Sequence, residues 1–198
     1  RFAMSDIFQF IGERIENEGE QGLDEAVWER FGCERTVLVA DMAGFTITTR
    51  KHGIVHYLQL IERMRVTASS LLNSLGGQLV RFEADNLFAV FQNPVAALEF
   101  ANAFVQLCEE DNQSRPRESQ IHLSIGIDHG EILLHEDDFF GAAVNMASKL
   151  GEDLAQPREI LTTQRVVEMT AGSGIELEKV GAHDFSGKAE ATFRMVRL

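Results

Sequence analysis

The sequence predicts an α+β protein: a ferredoxin-like βαββαβ palm core, a C-terminal αβ extension and an N-terminal helical segment. Three observations carry this expectation. Thr36–Ala40 is a valine-rich, mostly apolar run that a long helical pattern follows. The segment QLVRFEADNLFAVF then reads as two strands about Ala84, Asp85 and Asn86. A second helical pattern leads into the strand-like IHLSIGID. Residues 1–34 are expected to form the helical extension and residues 35–198 a single domain.

Taken in order, residues 5–32 read as two short helices, packed on the main domain or on a partner. Ile7, Phe10, Ile11 and Ile15, then Val27, Trp28 and Phe31, fall at helical spacing, with Gly19 and Gly22 interrupting. The run at Thr36–Ala40 suits a buried strand. A helix over about 50–74 keeps Ile54, Leu58, Ile61, Met64, Ala68 and Leu71 on one face, and Gly76-Gly77 ends it. Asn93-Pro94 is a helix cap followed by proline at the first helical position, and Leu98, Ala101, Val105 and Cys108 continue that helix. After IHLSIGID, His129-Gly130 is expected to bend the chain before EILLH. EDDFFG is expected to be an acidic loop, leading to a helix over about 142–153. The remainder reads as strand, short helix and two strands.

The bulk composition narrows the function. A net charge of −13 over 198 residues argues against binding nucleic-acid backbones or anionic lipid. The two cysteines, Cys33 and Cys108, have no metal-type spacing and fit a reducing, cytoplasmic compartment. No stretch approaches the roughly 18–20 apolar residues of a membrane span. The opening RFAMSD fits either a native start at Met4 or an internal methionine of a longer sensor protein.

Asp41 closes the first strand and Asp85 sits at the hairpin tip, and the predicted fold lays these two points side by side. Two carboxylates brought together repel each other unless a cation lies between them, and oxygen-only donors suit Mg²⁺ or Mn²⁺. The turn Gly44-Phe45-Thr46 directly after Asp41 offers backbone N–H groups to phosphate oxygens. By themselves these features also fit a strand-end cap and an ordinary hairpin turn.

Four segments in order, LVADMAGFT, VRFEADNLFAVF, SIGIDHGEIL and DFFGAAVNMASKL, resemble the class III nucleotidyl cyclase catalytic domain. The resemblance runs from about residue 35 to the end. It implies conversion of a nucleoside triphosphate, ATP by preference, to a 3′,5′-cyclic nucleotide and pyrophosphate. It also implies two Mg²⁺ or Mn²⁺ ions per site and a homodimer with shared sites. Carried over by position, it gives Asp41 and Asp85 the metals, Asn145 the ribose and transition state, and Lys188 the phosphates. Asp138 and Arg81 take the base-selecting positions, and an aspartate at the first usually accompanies adenine. The chain departs from the family at three points. Lys149 stands where the transition-state arginine is usual, Ala84 where glycine precedes the second aspartate, and Arg81 where lysine is usual. Two other readings stay open: a cyclase for GTP or a pyrimidine nucleotide, and a nucleotide-binding regulator of weak or no activity.

Overall fold

A computed structural model describes residues 6–18, 20–44, 50–185 and 187–197. Helices α1 (Asp6–Glu18) and α2 (Leu23–Phe31) precede β1 (Gly32–Met42). Next come α3 (Ile54–Leu75), β2 (Gln78–Glu83), β3 (Asn86–Phe91) and α4 (Pro94–Asn112). Strands β4 (Leu123–His135) and β5 (Asp138–Phe140), and helix α5 (Ala142–Ser148), complete the palm. A π-helical segment, Lys149–Leu154, then leads to β6 (Ile160–Thr163), α6 (Gln164–Met169), β7 (Glu176–Phe185) and β8 (Lys188–Arg197).

The sheet runs β2-β3-β1-β4-β6-β8-β7, with β5 paired to the far end of β4. Its first four strands have the expected ferredoxin-like order. Within the extension, β6 adds parallel to β4, and β8 and β7 follow antiparallel. Because side chains alternate across a strand, β1 feeds two cores. Leu38, Ala40 and Met42 join the cluster under α3 and α4. Val37 and Val39 join the opposite cluster under α5. The Asn93 side chain accepts from the Ala96 N–H at 3.0 Å, and Pro94 follows at the first helical position, as the sequence indicates.

Four expectations are corrected. Gly130 does not bend the chain: β4 is one strand, paired with β1 without interruption from Leu123 to Leu133. A Cβ at Gly130 would meet the Ala143 Cβ of α5 at 3.4 Å, an ordinary van der Waals contact. EDDFFG is not simply a loop, because Asp138–Phe140 pairs with Leu133–His135 and buries Phe139. In α3 the buried face is Tyr57, Leu60, Ile61, Met64, Ala68 and Leu72, whereas Ile54 and Leu58 are exposed. The helix over 142–153 is α-helical only to Ser148 and then widens to π geometry, with the Ala155 N–H donating to the Leu150 carbonyl at 2.8 Å.

Of the two packings proposed for the N-terminal helices, the main domain is the one observed. Ile7, Val27 and Phe31 form a small core against Leu133, and the Arg30 guanidinium lies over the rings of Phe10 and Phe31. A close backbone approach fixes the π segment on the sheet. A Cβ on Gly126 would lie 2.1 Å from the Ala147 carbonyl oxygen and 2.4 Å from the Gly151 nitrogen. Only glycine permits that contact.

Candidate active site

Asp41 is the penultimate residue of β1 and pairs across the ladder with Asn86, the first residue of β3. Asp85 lies one position before Asn86, in the β2–β3 turn, so strand pairing brings the two aspartates to one end of the sheet. The turn preceding Asp85 has Ala84 at φ 50, a left-handed conformation that costs a residue with a Cβ about 1–2 kcal/mol. Positive φ is therefore required where the sequence places alanine.

The Asp41 carboxyl is pushed up to about 6, by burial first and then by the like charges of Asp85 and Glu152. Glu152, on the π segment, is itself raised by burial and by surrounding carboxylates, Asp85 among them. The buried hydroxyl of Tyr57, in the first turn of α3, donates to Asp85 Oδ2 at 2.5 Å. Burial and the neighbouring carboxylates raise the Tyr57 hydroxyl above its usual range. Neither Tyr57 nor Glu152 stands out in the sequence. Tyr57 reads as one more helical residue, and Glu152 as part of a charged helix end.

A second cluster lies where β2 meets β5. Arg81 donates to Asp138 Oδ1 at 2.9 Å and to Glu83 at 3.3 Å. Its guanidinium sits 4.9 Å from the Phe88 ring centroid and 5.6 Å from that of Phe139. The two base-selecting candidates, 57 residues apart, therefore touch. The Phe139 N–H also donates to Asp138 Oδ1, at 3.0 Å, which fixes the carboxylate.

Asn145 and Lys149 occupy α5 and the start of the π segment, both exposed. Lys149 Nζ lies 5.4 Å from the centroid of Phe185, and residue 188 pairs with Phe185 across the β7–β8 turn. Among the described residues, no hydrogen bond or ion pair joins Asn145 or Lys149 to Asp41 or Asp85. Gly44 has φ 98, as a tight turn after Asp41 requires. Phe45, Thr46 and the Lys188 side chain lie outside what the structure describes.

The family described as "Adenylate and Guanylate cyclase catalytic domain" matches residues 30–197. A putative adenylate cyclase 3 of Rhizobium meliloti is 27% identical over 150 residues, covering 75% of this chain and 25% of the relative. An adenylate cyclase of Streptomyces coelicolor is 30% identical over 131 residues, covering 66% and 32%. The chain therefore spans about a quarter to a third of these relatives' own length. An adenylate/guanylate cyclase/hydrolase structure from Silicibacter pomeroyi superposes with a TM-score of 0.70 at 26% identity, over 83% of this chain and 97% of that one.

Proposed function

This chain belongs to the adenylate and guanylate cyclase catalytic domain family, and from that premise we propose that it is an adenylyl cyclase, converting ATP to 3′,5′-cyclic AMP and pyrophosphate. The family supports the reaction, and the observation that bears most on the base is the contact between Arg81 and Asp138. The pair sets an N–H donor beside a carboxylate acceptor. Adenine presents the complement on one edge, with N1 accepting and the exocyclic amine donating. Phe88 and Phe139, which already flank the guanidinium, supply apolar surface beside that edge.

Asp41 and Asp85 are the proposed metal ligands. Burial and like charge hold the Asp41 carboxyl well above its ordinary range, and both effects disfavour the charged form unless a cation joins it. All the donors are oxygens, which suits two hard ions such as Mg²⁺ or Mn²⁺. When bound, such ions lower the pKa of the attacking hydroxyl and neutralise the departing pyrophosphate.

The ribose 3′-hydroxyl gives up its proton to water as its oxygen attacks the α-phosphorus in line, and the bond from that phosphorus to the bridging oxygen breaks as pyrophosphate leaves. Backbone N–H groups of Gly44, Phe45 and Thr46 hold phosphate oxygens, as does Lys188. Asn145 orients the ribose, and Lys149 balances charge on the reacting phosphoryl group. Asn145 and Lys149 point outward on a different element from Asp41 and Asp85. We therefore assign them to the site of a second copy, which gives a symmetric homodimer with two equivalent sites. In this reading α1 and α2 stand outside the catalytic unit, whose first strand begins at Gly32. The free cysteines Cys33 and Cys108 support a cytoplasmic setting.

Two alternatives have specific support. Cytosine offers the same acceptor–donor pair as adenine, and guanine can also engage a donor–acceptor pair, so the contact admits other bases. Lys149 and Ala84, departures at catalytic positions, favour a nucleotide-binding regulator. The test incubates the purified chain with ATP, GTP, CTP and UTP in turn, with Mn²⁺ and then Mg²⁺, and reads cyclic products by mass spectrometry. Cyclic AMP, abolished in the Asp41→Ala/Asp85→Ala variant, is the expected result. A different cyclic nucleotide overturns the base assignment, and no product from a folded dimer overturns the enzyme.

A further inference from the structure

We infer that Tyr57 is a positioning residue for the metal site, holding Asp85 in the orientation that presents its carboxylate to a divalent cation. The inference rests on the proposed metal role of Asp41 and Asp85.

Asp85 is carried by a short turn whose backbone is strained at Ala84. A carboxylate on an exposed hairpin tip samples several rotamers, and ordering it costs entropy when a metal binds. Here α3 holds the tip at two points. Arg65 donates to the Ala84 carbonyl at 3.3 Å, and two helical turns earlier Tyr57 donates to Asp85 Oδ2 at 2.5 Å. Tyr57 is 1% exposed, with its ring in the core beneath the sheet alongside Met42 and Leu60. The ring cannot move without disturbing that packing, so its hydroxyl is a fixed donor.

A donor fixed on Oδ2 leaves Oδ1 and the second lone pair of Oδ2 for a cation. A buried tyrosine hydroxyl needs an acceptor, and the carboxylate of the proposed ligand serves as one here. Hydrogen-bond partners of metal ligands commonly contribute 10–100-fold in metal affinity.

The chain has one tyrosine, which gives the test a clean signal. The first measurement is Mn²⁺ affinity of the full chain, from the electron paramagnetic resonance of free Mn²⁺, for wild type, Tyr57→Phe and Asp85→Asn. Tyr57→Phe is expected to weaken Mn²⁺ binding by at least tenfold. In turnover, the Mn²⁺ concentration giving half-maximal rate should rise by the same factor while the rate at saturating Mn²⁺ is kept. A purely structural hydroxyl would leave Mn²⁺ affinity within twofold of wild type, and that result overturns the inference. Equal binding by wild type and Asp85→Asn overturns the metal assignment itself, and the positioning role with it.

The second measurement needs no variant. Wild-type protein grown with 3-fluorotyrosine has a single protein ¹⁹F resonance, that of Tyr57. Mg²⁺ should shift it, and Mn²⁺ should broaden it over the same concentration range as binding. A resonance that neither ion affects, in protein shown to bind Mn²⁺, separates Tyr57 from the site and overturns the inference even if Tyr57→Phe does not fold.

Discussion

Arg81 and Asp138 stand 2.9 Å apart, guanidinium to carboxylate, although one belongs to β2 and the other to β5. Each is about a third exposed or less. A partly exposed pair of this kind contributes under about 1 kcal/mol to stability. Its weight should therefore fall on recognition. Asp138→Asn is expected to lower kcat/KM for ATP by roughly 10–100-fold, in line with about 1.5–3 kcal/mol for a hydrogen bond to a charged group. The melting temperature should stay close to that of wild type. Steady-state kinetics with ATP, beside a thermal melt, checks both halves.

Asp41 makes a prediction about pH. Its folded pKa, about 6, lies above the ordinary value of 3.8. Between those values the native state binds more protons than the unfolded one, so this group's contribution to stability falls as pH rises. The penalty is absent below about pH 4 and complete above about pH 6, at about 2 kcal/mol once solvent screening is allowed for. Metal-free Asp41→Asn should therefore melt above wild type at pH 8 and level with it at pH 4. Calorimetry in chelator at the two pH values decides the matter. Greater stability of wild type at pH 8 would contradict it.

In the proposed assignment, Lys149 takes the place of a forked donor. Arginine grips phosphate oxygens bidentately and stacks on aromatic rings, and Phe185 already lies beside this side chain. Lys149→Arg is expected to raise kcat about tenfold, and Lys149→Ala to lower it about 10²-fold. KM should change little in either case. A rate unchanged by alanine would remove Lys149 from the reaction.

Ala84 pays the cost of a left-handed backbone at φ 50. Ala84→Gly relieves about 1–2 kcal/mol of strain and gives back about 0.5–1 kcal/mol in chain entropy. A net gain of about 0.5 kcal/mol should appear as a higher urea midpoint with an unchanged slope.

Gly126→Ala tests how the π segment is seated. The added methyl would meet backbone atoms of Ala147 and Gly151 at 2.1 and 2.4 Å, and backbone does not yield as a flexible side chain does. A loss of about 3 kcal/mol or more, or failure to fold, is expected. A melting temperature near wild type would show that the segment can lift from the sheet freely.

The sequence by itself determined the βαββαβ order of the palm, the helix cap at Asn93-Pro94 and the meeting of Asp41 with Asp85. Each depends on local chemistry or on the pairing of strands that adjoin in the fold, and both are written in short apolar runs and turn residues. The four motif segments carried the family, because they encode a backbone arrangement in consecutive residues. Tertiary structure alone decided the rest. Helical spacing puts Leu58 on the apolar face, and only the packing of α3 against the sheet buries Tyr57 and exposes Leu58. Contact between Arg81 and Asp138 required β5 to fold back along β4, a pairing hidden in an acidic run. Glu152 came near Asp41 because Gly126 and Gly151 let a π-helical turn lie against the strands. Long-range proximity of this kind arises from packing many elements at once, and no window of sequence contains it.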